Sequence, residues 1–182
     1  MAIQDFKTTE ESRLVLTQLM LPSHANFKGK IHGGYVLSMM DQIAFACGSR
    51  YSGHYCVTAS VDTVDFLNPI EVGELVTMKA SINYVGRTSM VIGIRVESEN
   101  IQTGKVKHCN SSFFTMVAKD DEGNTAEVPG LILQNKDDVR RFVKSIKRKE
   151  MKKTRKQNFN ESDFESKAYL DDLKNYRVKL EL

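Results

Sequence analysis

The sequence predicts an α+β fold: an antiparallel β-sheet curled around one long central helix, followed by a basic, partly helical C-terminal extension. The first observation is the segment Gly33 to Ser49, which has the length and composition of a helix and is apolar on nearly every face. The second is strict alternation. Val76, Met78, Ala80, Ile82 and Tyr84 are separated by Thr77, Lys79, Ser81 and Asn83, and Met90, Ile92, Ile94 and Val96 by Val91, Gly93, Arg95 and Glu97. Such period-two runs are half-buried strands. A helix that is hydrophobic all round is expected to be buried all round, so the strands must wrap it. The dimensions agree, since the helix is about 25 Å long at 1.5 Å per residue and strands of about 11 residues at 3.3 Å each span it.

The elements follow in order. Arg13 to Met20 is the first strand, the central helix runs from Gly33, and Tyr55 to Phe66 is the next strand. Val85-Gly86-Arg87-Thr88 joins the two alternating runs as a β-hairpin turn. After the turn signal at Asn100 to Gly104, Lys105 to Ala118 is another strand rich in β-formers. Val128-Pro129-Gly130 breaks both helix and strand, which places a core domain at residues 1–133 and the extension at 134–182. In the extension, Val139, Phe142, Val143 and Ile146 recur at helical spacing amid Lys136, Arg140, Arg141, Lys144, Lys147, Arg148 and Lys149. The cationic run continues through Lys152 to Lys156, and a last short helix is expected around Tyr169 to Tyr176.

A chain of 182 residues with 41% hydrophobic and 27% charged residues and 3 prolines has room for one domain and an appendage, and is neither collagen-like nor of low complexity. No apolar run approaches the roughly 18 residues of a membrane span, and the first residues lack a signal-peptide apolar region, so a cytoplasmic setting without a membrane span is expected. Cys47, Cys56 and Cys109 show no CxxC spacing and read as three reduced thiols. Residues 1–135 carry 11 Lys/Arg against 14 Asp/Glu, a balance of −3, whereas residues 136–182 carry 15 against 9, a balance of +6. The basic helix is either a solvated helix packing one stripe on its own domain or an attraction for a polyanion. Without interleaved aromatic side chains, sequence-specific nucleic-acid binding is not expected.

Asp41 lies inside the apolar helix, beside Ser38 and Gln42. A carboxylate in such a setting is either a structural group satisfied by backbone amides or a cation, or a general base held at a site boundary. Upstream, Asn26, Gly29, His32, Gly33 and Gly34 lead into the helix. The unpaired N–H groups of a helix N-terminus are aimed at developing negative charge, such as a carbonyl oxygen becoming an oxyanion, and glycines admit a substrate to the backbone. The other reading of Gly-Gly is a packing turn.

The run from Leu21 to Asp41, LPSHANFKGKIHGGYVLSMMD, resembles the signature of hotdog-fold acyl-CoA thioesterases of the acyl-CoA hydrolase branch. The similarity continues through Ser60-Val61-Asp62, Phe66-Leu67-Asn68-Pro69, Val72-Gly73-Glu74 and Val85 to Met90, over roughly residues 10 to 130. It implies a hotdog fold, dimers whose sheets join edge to edge, active sites at the subunit interface, and a trimer of dimers as the assembly. It also implies that Asp41 activates water, or acts as nucleophile, and that Asn26 positions water or substrate from the partner subunit. Gly33 and Gly34 would then offer backbone N–H groups to the thioester oxygen. His32 stands where many members of the branch have an aromatic residue, and is either a substrate contact or a packed side chain.

Coenzyme A carries phosphates, and Gly86, Arg87, Thr88 and Ser89 are the best local candidates to meet them, the other reading being a hairpin turn with a solvated Arg87. No cofactor is expected, coenzyme A being part of substrate and product. His24, His32, His54 and His108 form no metal-ligand pattern, and Ser38 has no G-x-S-x-G context. The expected function is hydrolysis of acyl-CoA to fatty acid and coenzyme A. Two alternatives stand beside it: a non-catalytic acyl-CoA sensor that binds nucleic acid through its basic tail, and dehydration of a hydroxyacyl thioester.

Overall fold

The computed structural model of the chain describes residues 6–158 and Val178. The expected helix around Tyr169 to Tyr176 lies outside the described residues. In chain order the elements are β1 (Phe6–Thr8), α1 (Thr9–Ser12), β2 (Leu14–Leu19), a 3₁₀ turn (Pro22–His24), α2 (Gly33–Ser52), β3 (Tyr55–Val61), β4 (Leu75–Val85), β5 (Ser89–Asn100), β6 (Lys105–Lys119), β7 (Gly130–Ile132) and α3 (Lys136–Asn158). Two compact units are present, residues 1–145 and 146–182. Among the described residues no helix is long and apolar enough to cross a membrane.

The five long strands form one antiparallel sheet in the order β2-β4-β5-β6-β3, and α2 touches every one of them. This is the α+β architecture that the alternation predicts. β1 and β7 form a separate parallel pair, tied to α2 where the Tyr51 hydroxyl donates to the Gly130 carbonyl at 2.7 Å. Neither short strand has enough residues for its period to be read from sequence. The expected strand Tyr55 to Phe66 stops at Val61, and the chain then follows β6 irregularly: Asp62 N–H donates to the Phe113 carbonyl and Leu67 N–H to the Cys109 carbonyl, each at 2.9 Å.

The core fills the space between α2 and the sheet. Met90, Ile92, Ile94 and Val96 on β5 and Phe114, Met116 and Ala118 on β6 face Met39, Met40, Ile43, Ala44 and Cys47 of α2, all of them buried. Flexible methionines suit the irregular gap between a straight helix and a twisted sheet. Gly48 lets the helix come close to the sheet, since a Cβ there would come within 3.3 Å of Ile92 Cδ1 and 3.6 Å of Met116 Cβ.

One expectation is corrected. α2 is not buried all round: Gly34, Ser38, Asp41, Gln42, Phe45 and Ala46 are exposed along one face, opposite the sheet. The sheet of a single chain covers only one side of the helix, and the apolar residues on the other side face outward. The exposed edge strand β3 flanks this face, with Phe45 and Tyr55 in an edge-to-face contact at 5.5 Å between ring centroids.

Candidate active site

Asp41 stands near the middle of α2 on its open face, so the carboxylate keeps its hydration and the chain alone bears no cost of burying a charge. Its Oδ1 accepts a hydrogen bond from Thr58 Oγ1 at 2.6 Å. Thr58 belongs to β3, just before the register shift between Thr58 and Ser60, and Met116 Sδ lies 3.3 Å from the same hydroxyl. The Thr58 hydroxyl fixes one carboxylate oxygen and leaves Oδ2 for another partner. No ion pair locks Asp41 among the described residues. Thr58 is absent from the sequence reading because its pairing crosses from strand to helix, and an isolated threonine in a strand carries no signal of it.

At the helix start, His32 is the N-cap and its Nδ1 accepts from Gly34 N–H at 2.9 Å. The side chain is exposed and caps the helix; it is not packed in the core. The two glycines therefore differ. Gly34 N–H is committed to His32, while Gly33 N–H, the first orphan donor of the helix, has no partner among the described residues. The Phe66 ring covers this point, since a Cβ on Gly33 would lie 3.3 Å from Phe66 Cζ.

Asn26 shapes the loop before the helix. Its Oδ1 accepts from Lys28 N–H at 2.9 Å and from Lys30 N–H at 3.2 Å, and Gly29 takes a φ of 75° to close the turn. Phe27 stands fully exposed at the tip. All hydrogen bonds of Asn26 run within its own loop, and none joins it to Asp41 of the same chain.

Gly86 to Ser89 form the tight β4–β5 turn, with Gly86 N–H donating to the Ser89 carbonyl at 2.7 Å. Arg87 is exposed. Thr88 accepts through its carbonyl from Ala118 N–H at 3.0 Å, which sets the turn at the end of the sheet where α2 finishes. Gly33 is at the other end. Within one chain the structure thus brings Asp41 to Thr58 and His32 to Gly34, and keeps the Arg87 turn apart from both. Among the described residues no group of three or more His, Cys, Asp or Glu side chains is placed to hold a metal ion.

Residues 28–105 match the model of the thioesterase superfamily. Protein VdlD of Helicobacter pylori is 43% identical over 145 residues, which span 80% of this chain and 83% of that protein. An apo-hexameric acyl-CoA thioesterase superposes with a TM-score of 0.81 at 36% identity, covering 84% of this chain and 97% of the other. The acyl-CoA hydrolase of Staphylococcus aureus, solved in complex with butyryl coenzyme A, coenzyme A and coenzyme A disulfide, superposes with a TM-score of 0.77 at 28% identity over 93% of this chain and 99% of that one. That hydrolase has also been solved with an asparagine, an aspartate or a threonine changed to alanine, and the intervals between those three residues equal those between Asn26, Asp41 and Thr58. An identity of 36% across nearly the whole of a solved thioesterase, joined to the shared curled sheet and central helix, makes this chain a member of the thioesterase superfamily with the hotdog fold, and a thioesterase.

Proposed function

We propose that the protein hydrolyses acyl-CoA thioesters to a fatty acid and coenzyme A, with Asp41 as general base. One observation carries the reading: an exposed carboxylate, held through one oxygen by Thr58, on the face of α2 that its own sheet leaves open. Water adds to the thioester carbonyl carbon as Asp41 Oδ2 takes its proton. Gly33 N–H polarises the carbonyl oxygen and stabilises the oxyanion. The C–S bond then breaks, and the proton on Asp41 passes to the sulfur of the departing coenzyme A. Thr58 acts as a positioning residue, keeping Oδ2 pointed at the water.

The site is completed by a second copy of the chain. Antiparallel pairing of two β3 edges reverses the partner sheet, so the partner's Arg87 turn approaches this helix N-terminus, and its Asn26 loop can reach Asp41. Asn26 Oδ1 is used within its loop, so its Nδ2 is the group offered to water or substrate. Arg87, with the backbone and hydroxyl groups of Gly86, Thr88 and Ser89, meets the phosphates of coenzyme A. Assembly as a trimer of dimers is consistent with the hexameric relative. The matching intervals of the Staphylococcus aureus variants support the choice of Asn26, Asp41 and Thr58.

Thiol release from a panel of acyl-CoA chain lengths tests this. Asp41→Asn is expected to lower kcat by about 10² to 10⁴ with KM near its starting value, since the carboxylate acts chiefly in the transition state. Unchanged turnover would remove Asp41 from the mechanism.

A further inference from the structure

The concave face of the sheet ends in a polar corner. Its inward positions are apolar at Met90, Ile92, Ile94 and Val96 and at Met116 and Phe114, then change to Ser98 on β5 and to Ser112 and Asn110 on β6. Polar groups in such a place need partners. Ser98 Oγ donates to Glu74 Oε2 at 2.6 Å, Lys107 Nζ to Glu74 Oε1 at 2.8 Å, and Ser112 Oγ to the Asp62 carbonyl at 3.1 Å. Asn110 breaks the pattern: its side chain is fully buried, and neither Oδ1 nor Nδ2 has a hydrogen-bond partner among the described residues.

This amide lies at the end of the sheet where α2 begins. The Phe66 ring rests against Gly33, and the next residue, Leu67, is bonded to Cys109 at 2.9 Å. Register gives the same placement. Gly48 faces Met116; from Gly48 back to Gly33 the helix covers about 22 Å, and from Met116 back to Asn110 the strand covers about 20 Å.

An amide whose donor and acceptor are both unanswered matches a hydroxyl, which can donate one hydrogen bond and accept another. We propose that Asn110 is a specificity-determining residue that selects thioesters with a hydroxyl within the first few acyl carbons, a hydroxyacyl-CoA class. The inference rests on the thioesterase reading, which puts the thioester carbonyl at Gly33 N–H. A purely apolar acyl chain leaves both amide atoms unpaired, and sites built to bond a substrate hydroxyl reject analogues lacking it far more strongly than they reject a missing methylene.

The test compares kcat/KM by thiol release for butyryl-CoA with 2- and 3-hydroxybutyryl-CoA, and for decanoyl-CoA with 3-hydroxydecanoyl-CoA. It uses the full chain and its Asn110→Leu variant. At least one hydroxylated substrate is expected to be preferred about tenfold or more by the unaltered protein, and the preference to fall about 10- to 100-fold in the variant. Asn110→Ala gives the same comparison if the leucine variant does not fold. Hydrolysis without preference, or a preference that either folded variant leaves unchanged, overturns the proposal and leaves Asn110 as the holder of an internal water. Absence of thiol release from every substrate overturns the thioesterase reading, and this inference with it.

Discussion

Thr58 and Asp41 are separated by 17 residues and meet through a bond of 2.6 Å that crosses from an edge strand to a helix. If the hydroxyl serves to aim the carboxylate, its loss should slow chemistry more than it weakens binding. Thr58→Val is expected to lower kcat by about tenfold with little change in KM, and Thr58→Ser to recover most of the rate. A rate kept in Thr58→Val and lost in Thr58→Ser would instead assign the position a packing role through its methyl group. Asp41 is legible in the sequence as an acid set among apolar neighbours, but the burial that such a helix predicts does not hold in the single chain. Composition cannot tell an apolar face that meets its own sheet from one left for another chain. His32 was equally ambiguous, because capping by a ring nitrogen depends on a backbone turn that residue type alone does not fix.

At the level of elements, period-two alternation located β4, β5 and β6, and length with composition located α2, because these signals are local. β-formers in residues 62–66 extend the strand expected from Tyr55 as far as Phe66, whereas the point at which the chain leaves β6 is set by contacts with residues distant in sequence. Glu74, in the Val72-Gly73-Glu74 run that carries part of the resemblance, clamps the start of β4 to two further strands, a role that no local sequence signal gives. Glu74, immediately before β4, bonds Ser98 on β5 and Lys107 on β6. Burial disfavours its charged form, but the Glu71 backbone, Lys107 and Ser98 together hold its carboxyl below the ordinary value of 4.5. A carboxyl whose value is lowered by folding stabilises fully above its unfolded value, and that contribution disappears as pH falls through the folded value. The urea midpoint should therefore hold steady from pH 7 down to about 5 and fall below about 4.5. In Glu74→Gln this acid limb should be shallower and stability at pH 7 lower by about 1–3 kcal/mol. An identical acid limb in the variant would assign acid sensitivity to other carboxylates.

For the whole molecule, the decisive feature is how little of the proposed pocket a single chain supplies. The acid and its threonine are on one side of an open helix face, Asn26 bonds only within its own loop, and the Arg87 turn is at the far end of the sheet. Two chains with separate defects could then repair one another. If Asp41 and Asn26 of each pocket come from different chains, a mixed dimer of Asp41→Asn and Asn26→Ala holds one pocket with both defects and one with neither. Unfolding and refolding the two inactive variants together should thus restore about a quarter of the unaltered rate, whereas each refolded alone stays inactive. Failure of the mixture to regain activity, with mixed dimers demonstrated by mass, would confine each pocket to a single chain. Intragenic complementation of this sort would make the open helix face a form of shared ownership, in which one damaged copy in a cell need not silence the other.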